Sequence, residues 1–252
     1  MKKHQYKLNL YGAPLSQPVR AVIWVLLYKK QNFDLILMNP GSKGSIGTRN
    51  PTFLAKNPFG TIPFLEDKTN DVSIAEASAI LIYLSRVNEW HDLYPLDPRN
   101  CSKVDWYLHS HHRGIRDAAL AYFAPNIRKD LSLSDVLIDI AKKSFSRSLE
   151  VLEHNWLAKT QFIAGQCLSI ADFMAYSEIG QMKPEFTNVF DFETFPNVKR
   201  WMRDMASFDG HNDAHLSLNM LGDISSSKPS IEKIVNANKA GYETIMNRQK
   251  SF

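Results

Sequence analysis

The chain has 252 residues, 44% hydrophobic and 22% charged, a balance that excludes disorder and suits one large domain or two modest ones at about 150 residues each. Thirty Lys and Arg against 26 Asp and Glu give a formal charge of +4, too weak for a dedicated nucleic-acid binder, whose basic residues crowd on one face. The excess lies in the first 90 residues, with 11 basic and 6 acidic side chains against 19 and 20 in the remainder, which favours a small anionic ligand on the first part. Two cysteines, Cys101 and Cys167, without a CxxC spacing, exclude a disulfide scaffold and a cysteine-rich metal site. The first six residues are polar, and the longest apolar run, 21–28, has 8 residues against the ~18 that span a bilayer. The expectation is a soluble, cytoplasmic protein with no membrane insertion.

In chain order, Leu8 and Leu10 alternate with Lys7 and Asn9 and predict a first strand over 6–11, broken by Gly12, Ala13 and Pro14. Pro18 suits the first turn of a helix, where its missing N–H costs nothing. The stretch 19–28 is apolar on nearly every side apart from Arg20, as in a helix buried against a sheet. A second strand is expected over 33–38, then a long irregular segment with Pro40, Gly41, Gly44, Gly47 and Pro51, with room for a loose helix. A third strand follows over 62–65, a hairpin turn at Asn70-Asp71, a short strand over 72–74 and a helix over 75–86. This order fits a small α/β sandwich. No GxGxxG or GxxxxGK[ST] occurs, so no nucleotide site is indicated.

Residues 91–98, with Pro95 and Pro98, read as a linker. Helices are expected over 101–123, over the apolar stripe from Leu137 through Ala141, Phe145, Leu149 and Leu152 to Trp156, and over 169–179 and 196–205. Ser169 and Asp172 form a capping box, a folding element rather than chemistry. The pattern weakens after His215, with a loop at 225–229 and one last helix over 231–246. The division is therefore 1–90, a linker at 91–98, a helical domain over 99–215, and an extension over 216–252 that serves as a lid or a surface helix.

Four stretches, in order, carry a family resemblance: Leu15-Ser16-Gln17-Pro18-Val19-Arg20-Ala21; Asn57-Pro58-Phe59-Gly60-Thr61-Ile62-Pro63-Phe64-Leu65; Glu76-Ala77-Ser78-Ala79-Ile80-Leu81-Ile82-Tyr83-Leu84; and Phe162-Ile163-Ala164-Gly165 running into Ser169-Ile170-Ala171-Asp172. Over residues 6–210 the chain resembles the cytosolic glutathione transferases, nearest the serine-type theta class with phi-like features. The resemblance implies an α/β thioredoxin-like N-terminal domain followed by an all-helical C-terminal bundle domain. It also implies a homodimer, glutathione as co-substrate, no permanently bound cofactor, no metal, and a small hydrophobic electrophile held between the domains.

A serine before a helix ordinarily caps backbone N–H groups. The resemblance instead gives Ser16 the hydrogen bond to the glutathione sulfur. A free thiol has a pKa near 8.5, and each unit of lowering asks for ~1.4 kcal/mol, within reach of a donor beside a helix N-terminus. Tyr11 and Tyr6 are rival donors, because other classes use a tyrosine near the end of the first strand; Tyr11 otherwise belongs to the substrate pocket. Arg20 either supports the site electrostatically or is a solvated or salt-bridged side chain. The matching family proline at Pro63 is cis, which frees the Ile62 backbone, after Thr61, to pair with the cysteinyl part of glutathione.

Glu76 matches the glutamate that pairs with the γ-glutamyl amino group. The next family position is usually serine; here it is Ala77, which leaves only a backbone N–H for the ligand carboxylate, with Ser78 turned away around the helix. Losing a hydrogen bond to a charged group costs ~1.5–3 kcal/mol. Arg49, ahead of Lys43 and Lys56, is the candidate for the glycyl carboxylate, and the histidine typical of theta members is absent. Asp105 resembles the aspartate that reaches the partner's glutathione. His109, His111, His112, Arg113 and Arg116 form a polar cluster, in which His109 and His112 alone make a poor metal site. His112 and Arg116 are placed at the electrophile pocket, Arg116 as a guide for an anionic substrate. The absence of a cysteine near Ser16 argues against a mixed-disulfide reductase. The alternative function is a non-catalytic binding or assembly module on the same fold, favoured by Ala77 and the added tail.

Overall fold

The computed structural model describes residues 7–128 and 131–252; Tyr6 lies outside them. Alternation in β1 (Leu8–Gly12) turns Leu8 and Leu10 to one face of a four-stranded sheet. The chain then enters α1 (Gln17–Tyr28), with Pro18 in its first turn, and returns through β2 (Asp34–Leu37), parallel to β1. The irregular segment contains a single short helix, α2 (Pro51–Leu54). Strands β3 (Phe64–Asp67) and β4 (Val72–Ala75) form an antiparallel hairpin, and α3 (Ala77–Val87) follows. The sheet order is β2-β1-β3-β4, with β3 antiparallel to β1. β3 starts at Phe64, two residues later than the sequence pattern suggests, because Pro63 has no N–H to give to a ladder. Leu8, Leu10 and Leu65 face α1 and α3; Tyr11 and Phe64 pack on the opposite face with Phe53 of α2.

The second part is helical. α4 (Pro98–His111) begins at the proline assigned above to the linker, with Asp97 accepting the Asn100 N–H at 3.0 Å as its cap. The single helix expected over 101–123 is interrupted at 112–116. There Gly114 meets α6 (Asp135–Val151) so closely that an added Cβ would stand 1.9 Å from Ser148 Oγ. A wide helical turn, Ala119–Phe123, then leads into α5 (Ala124–Ile127). The predicted stripe buries Ala141, Phe145, Leu149 and Leu152, whereas Leu137 stays exposed.

α7 (Ile170–Ile179) is buried along its whole length at the centre of the molecule. Trp24 of α1 packs edge-on against its Phe173 and Tyr176, with ring centroids 4.8 and 5.2 Å apart, contacts worth about 0.5–1.5 kcal/mol each beyond area burial. One hydrophobic core thus runs from the sheet through α1 into the helical domain. Asp172 receives the Ser169 N–H and hydroxyl and the Ile163 N–H at 2.9–3.0 Å, and the Trp201 indole N–H at 3.0 Å. It therefore fixes the start of α7 against the preceding loop and against α8 (Pro196–Ala206).

After His215 the structure departs from the weak pattern in the sequence. α9 (His211–Leu221) is a regular helix whose buried side mixes His211, His215 and Ser217 with Ala214, Leu218 and Leu221. These polar residues mask its apolar period. α10 (Ile231–Gln249) lies along α9 and reaches the first domain, where Gln249 Oε1 accepts the Phe33 N–H at 2.7 Å.

Candidate active site

Sheet register gathers the candidate residues. Tyr11 stands beside Phe64, and Phe64 beside Ala75. The loop from β1 to Ser16, the loop delivering Ile62 and Pro63 to β3, and Glu76 after β4 therefore leave the sheet at one end. β2 ends there too, since Leu37 pairs with Gly12, and the Met38 N–H donates to the Gly12 carbonyl at 3.0 Å. Arg49 joins the same end: its Nη1 donates to the Phe59 carbonyl at 3.2 Å, although the side chain lies at the surface.

Ser16 is the residue preceding α1, with extended backbone at φ −76° and ψ 125°, and its hydroxyl makes no capping bond. Its backbone is committed: its N–H donates to the Ala13 carbonyl and its carbonyl accepts the Arg20 N–H, both at 2.9 Å. A half-buried hydroxyl at a helix N-terminus, not used by the helix, is what a thiolate-stabilising donor requires.

Arg20 is fully buried. Its guanidinium donates to the Leu15 carbonyl at 2.6 Å, to the Ser177 carbonyl at 2.9 Å and to Gln181 Oε1 at 3.0 Å. Burial lowers its pKa to about 9, offset in part by Glu178, so it stays charged at neutral pH. It ties the Ser16 loop to α7. Tyr11 points to the other face of the sheet, donating to Glu66 Oε2 at 2.7 Å. Glu66 also pairs with Lys56. Burial, then the Glu66 carboxylate, raises the Tyr11 phenol. Tyr11 and Lys56 thus form one triad with Glu66, engaged away from Ser16.

The Ile62–Pro63 peptide is cis. Among the described residues, Ile62 takes part in none of the backbone hydrogen bonds of the loops and turns. Buried Asn57 fixes the preceding turn by donating to the Thr61 carbonyl at 2.9 Å and Oγ1 at 3.3 Å. Glu76 is exposed, sits at φ +69° and makes no capping bond. That left-handed backbone in a residue with a side chain costs of order 1–3 kcal/mol and recurs at ligand clamps. Ala77 is buried, and the neighbouring Ser78 Oγ is buried without a partner.

Asp105 accepts the Tyr94 hydroxyl at 2.9 Å and is not brought to Ser16 of the same chain by any contact here. Arg116 pairs with buried Glu178, and its Nη1 lies 3.4 Å from Gln17 Oε1, next to Ser16. His109 and His112 are exposed; His111 is buried against the Tyr107 hydroxyl at 3.1 Å, and burial, then Arg116, lowers its pKa to about 3. Arg113 and His111 line a groove of about 470 Å³ between α4 and α6 with Lys143, Arg147 and Trp156. Among the described residues, no group of three or more His, Cys, Asp or Glu could hold a metal ion. Sequence reasoning missed Asn238 of α10, whose Oδ1 accepts the Leu15 N–H at 3.0 Å. No local pattern marks a contact across 223 residues.

The structure is a thioredoxin-like domain followed by an all-helical bundle, with a serine hydroxyl unused by its helix where the sheet's connecting loops meet. Comparison with known proteins agrees. Residues 10–88 match the model of the glutathione S-transferase N-terminal domain, and residues 116–209 that of the C-terminal domain. The chain is 33% identical over 221 residues to glutathione S-transferase theta-1 of Gallus gallus, covering 78% of this chain and 82% of that one. It is 28% identical over 239 residues to theta-1 of Homo sapiens, covering 90% and 95%. It superposes on human glutathione transferase theta-2, solved with glutathione and an unknown ligand, with a TM-score of 0.73 at 25% identity over 96% of this chain and 98% of that one. Glutathione S-transferase T2 of Arabidopsis thaliana is longer, and the match spans 30% of it. The chain belongs to the cytosolic glutathione transferase family, on the theta-like branch.

Proposed function

We propose that the chain binds glutathione across the end of its sheet, holds the thiol as thiolate with the Ser16 hydroxyl, and directs it at an electrophilic carbon of a small hydrophobic molecule. The observation that carries this reading is the Ser16 hydroxyl itself, set at the α1 N-terminus and unused by the helix. Stabilising the anion and orienting it supply the rate enhancement, with no covalent bond to the enzyme.

In this reading the Ile62 backbone, beside Thr61 and Pro63, aligns the cysteinyl unit. Glu76 meets the γ-glutamyl ammonium, the Ala77 N–H its carboxylate, and Arg49 the glycyl carboxylate. His112 and Arg116 border the electrophile. Tyr11 is left out, because its hydroxyl is engaged by Glu66. A cytoplasmic setting and a homodimer belong to the same proposal. Support for the dimer comes from α4, where Trp106 is 64% exposed and packs on Trp156 beside Asp105. Sedimentation of the purified protein tests it. No helix among the described residues is long and apolar enough to cross a membrane.

The decisive experiment is the ultraviolet absorbance of thiolate with saturating glutathione, titrated across pH. Bound glutathione should ionise well below its free value near 8.5, and Ser16→Ala should lose most of that lowering. Saturable binding without ionisation would instead indicate the non-catalytic module.

A further inference from the structure

We infer that Asn238, on the C-terminal helix, is a positioning residue that sets the Ser16 hydroxyl through the Leu15 peptide. This rests on the reading of Ser16 given above. Leu15 is held at both of its backbone polar groups, one in the peptide before it and one in the peptide that joins it to Ser16. Its N–H donates to Asn238 Oδ1 at 3.0 Å, and its carbonyl accepts from Arg20 at 2.6 Å. Asn238 is itself oriented, because its Nδ2 donates to the Ile234 carbonyl one turn back at 3.2 Å, leaving Oδ1 for the loop.

Two neighbours on α10 complete the grip. Ala237 joins the apolar cluster that buries the Leu15 side chain with Phe123, Phe186, Leu218 and Leu221. Gly241 lets the helix close on the loop: a Cβ there would stand 2.9 Å from Pro14 Cβ and 3.0 Å from Ser217 Cβ. The matched family segments end at residue 209, so this grip comes from a part of the chain outside them. With the Leu15 N–H and carbonyl both anchored and the Ser16 backbone bonded to Ala13 and Arg20, the Ser16 hydroxyl, which makes no capping bond, stays available to a ligand.

Hydrogen-bond strength falls steeply with distance and angle, so a loop released from α10 loses part of the thiolate stabilisation even when Ser16 is intact. The test uses the full chain with saturating glutathione. Thiolate absorbance is titrated across pH for Asn238→Leu, which removes the acceptor, and Gly241→Ala, which wedges the helix away from Pro14. Ser16→Ala and Arg248→Gln run alongside. Arg248 pairs with Asp209 and Asp213 at the far end of the same helix, so its variant loosens α10 without touching the loop.

The expected result is a rise of about one unit in the bound-thiol pKa for the first two variants, a tenfold fall in its ionisation constant. The KM for glutathione should change by less than about twofold, and Arg248→Gln should titrate like the parent. A thiol that titrates normally in Asn238→Leu and Gly241→Ala, while Ser16→Ala loses its lowering, overturns the inference and leaves the proposed function standing. An equal rise in Arg248→Gln also overturns it. A Ser16→Ala protein that keeps the full lowering removes the function and the inference together. Should Asn238→Leu fail to fold, Gly241→Ala decides alone.

Discussion

The Arg116 guanidinium is paired with the Glu178 carboxylate, which is buried in α7. A side chain that the sequence offers as a guide for an anionic substrate is thus already neutralised by its own protein. Burial raises the Glu178 pKa and Arg116 opposes the rise. Removing one partner of a buried pair strands the other charge, at a cost of about 3–5 kcal/mol. Arg116 is itself about one-third exposed, and a stranded Glu178 can take up a proton, so Arg116→Met should lower the unfolding free energy by at most that amount, and Glu178→Gln by much less. Equal losses in both, measured by equilibrium unfolding, would place the stability elsewhere.

Asp172 gives a pH dependence with a definite sign. Burial raises its pKa from 3.8 to about 6 despite four groups donating to it. Between those values the folded protein holds a proton that the unfolded chain has released. Stability therefore falls as pH rises from about 4 to about 6 and is flat above, a contribution on the order of 3 kcal/mol. In Asp172→Asn this component of the slope should vanish, with a lower baseline because the Ser169 N–H loses its acceptor. Unfolding midpoints collected across the window check it.

Glu76 carries backbone strain that glycine does not feel. Glu76→Gly should stabilise the ligand-free protein by about 1 kcal/mol while weakening glutathione binding. Glu76→Gln should weaken binding without the gain in stability. Thermal midpoints and glutathione affinity of the two variants, measured side by side, separate strain from charge.

Much of this was legible in the chain. Alternation at Leu8 and Leu10, Pro18 at a helix start and the all-apolar run after it are local signals, and local physics decided those elements. Ser16 was legible only through its surroundings, since a serine before a helix is ordinarily a cap; that its hydroxyl makes no cap bond is visible in three dimensions alone. The failures share a cause. The break after His111 comes from the close approach of Gly114 to Ser148, and α9 hides its period behind buried His211, His215 and Ser217. Leu137 heads a regular stripe yet remains exposed. In each case a partner far along the chain decides what a short window of sequence does not contain.

The bond between the Phe33 N–H and Gln249 joins residues 216 positions apart, and so gives the fold an order in time. A ribosome releases the sheet and α1 long before it has made α10. Until α10 is made, the Phe33 and Leu15 N–H groups lack their hydrogen-bond partners. A chain interrupted before α10 would therefore lack both contacts, and its serine loop would be held by Arg20 and Ala13 alone.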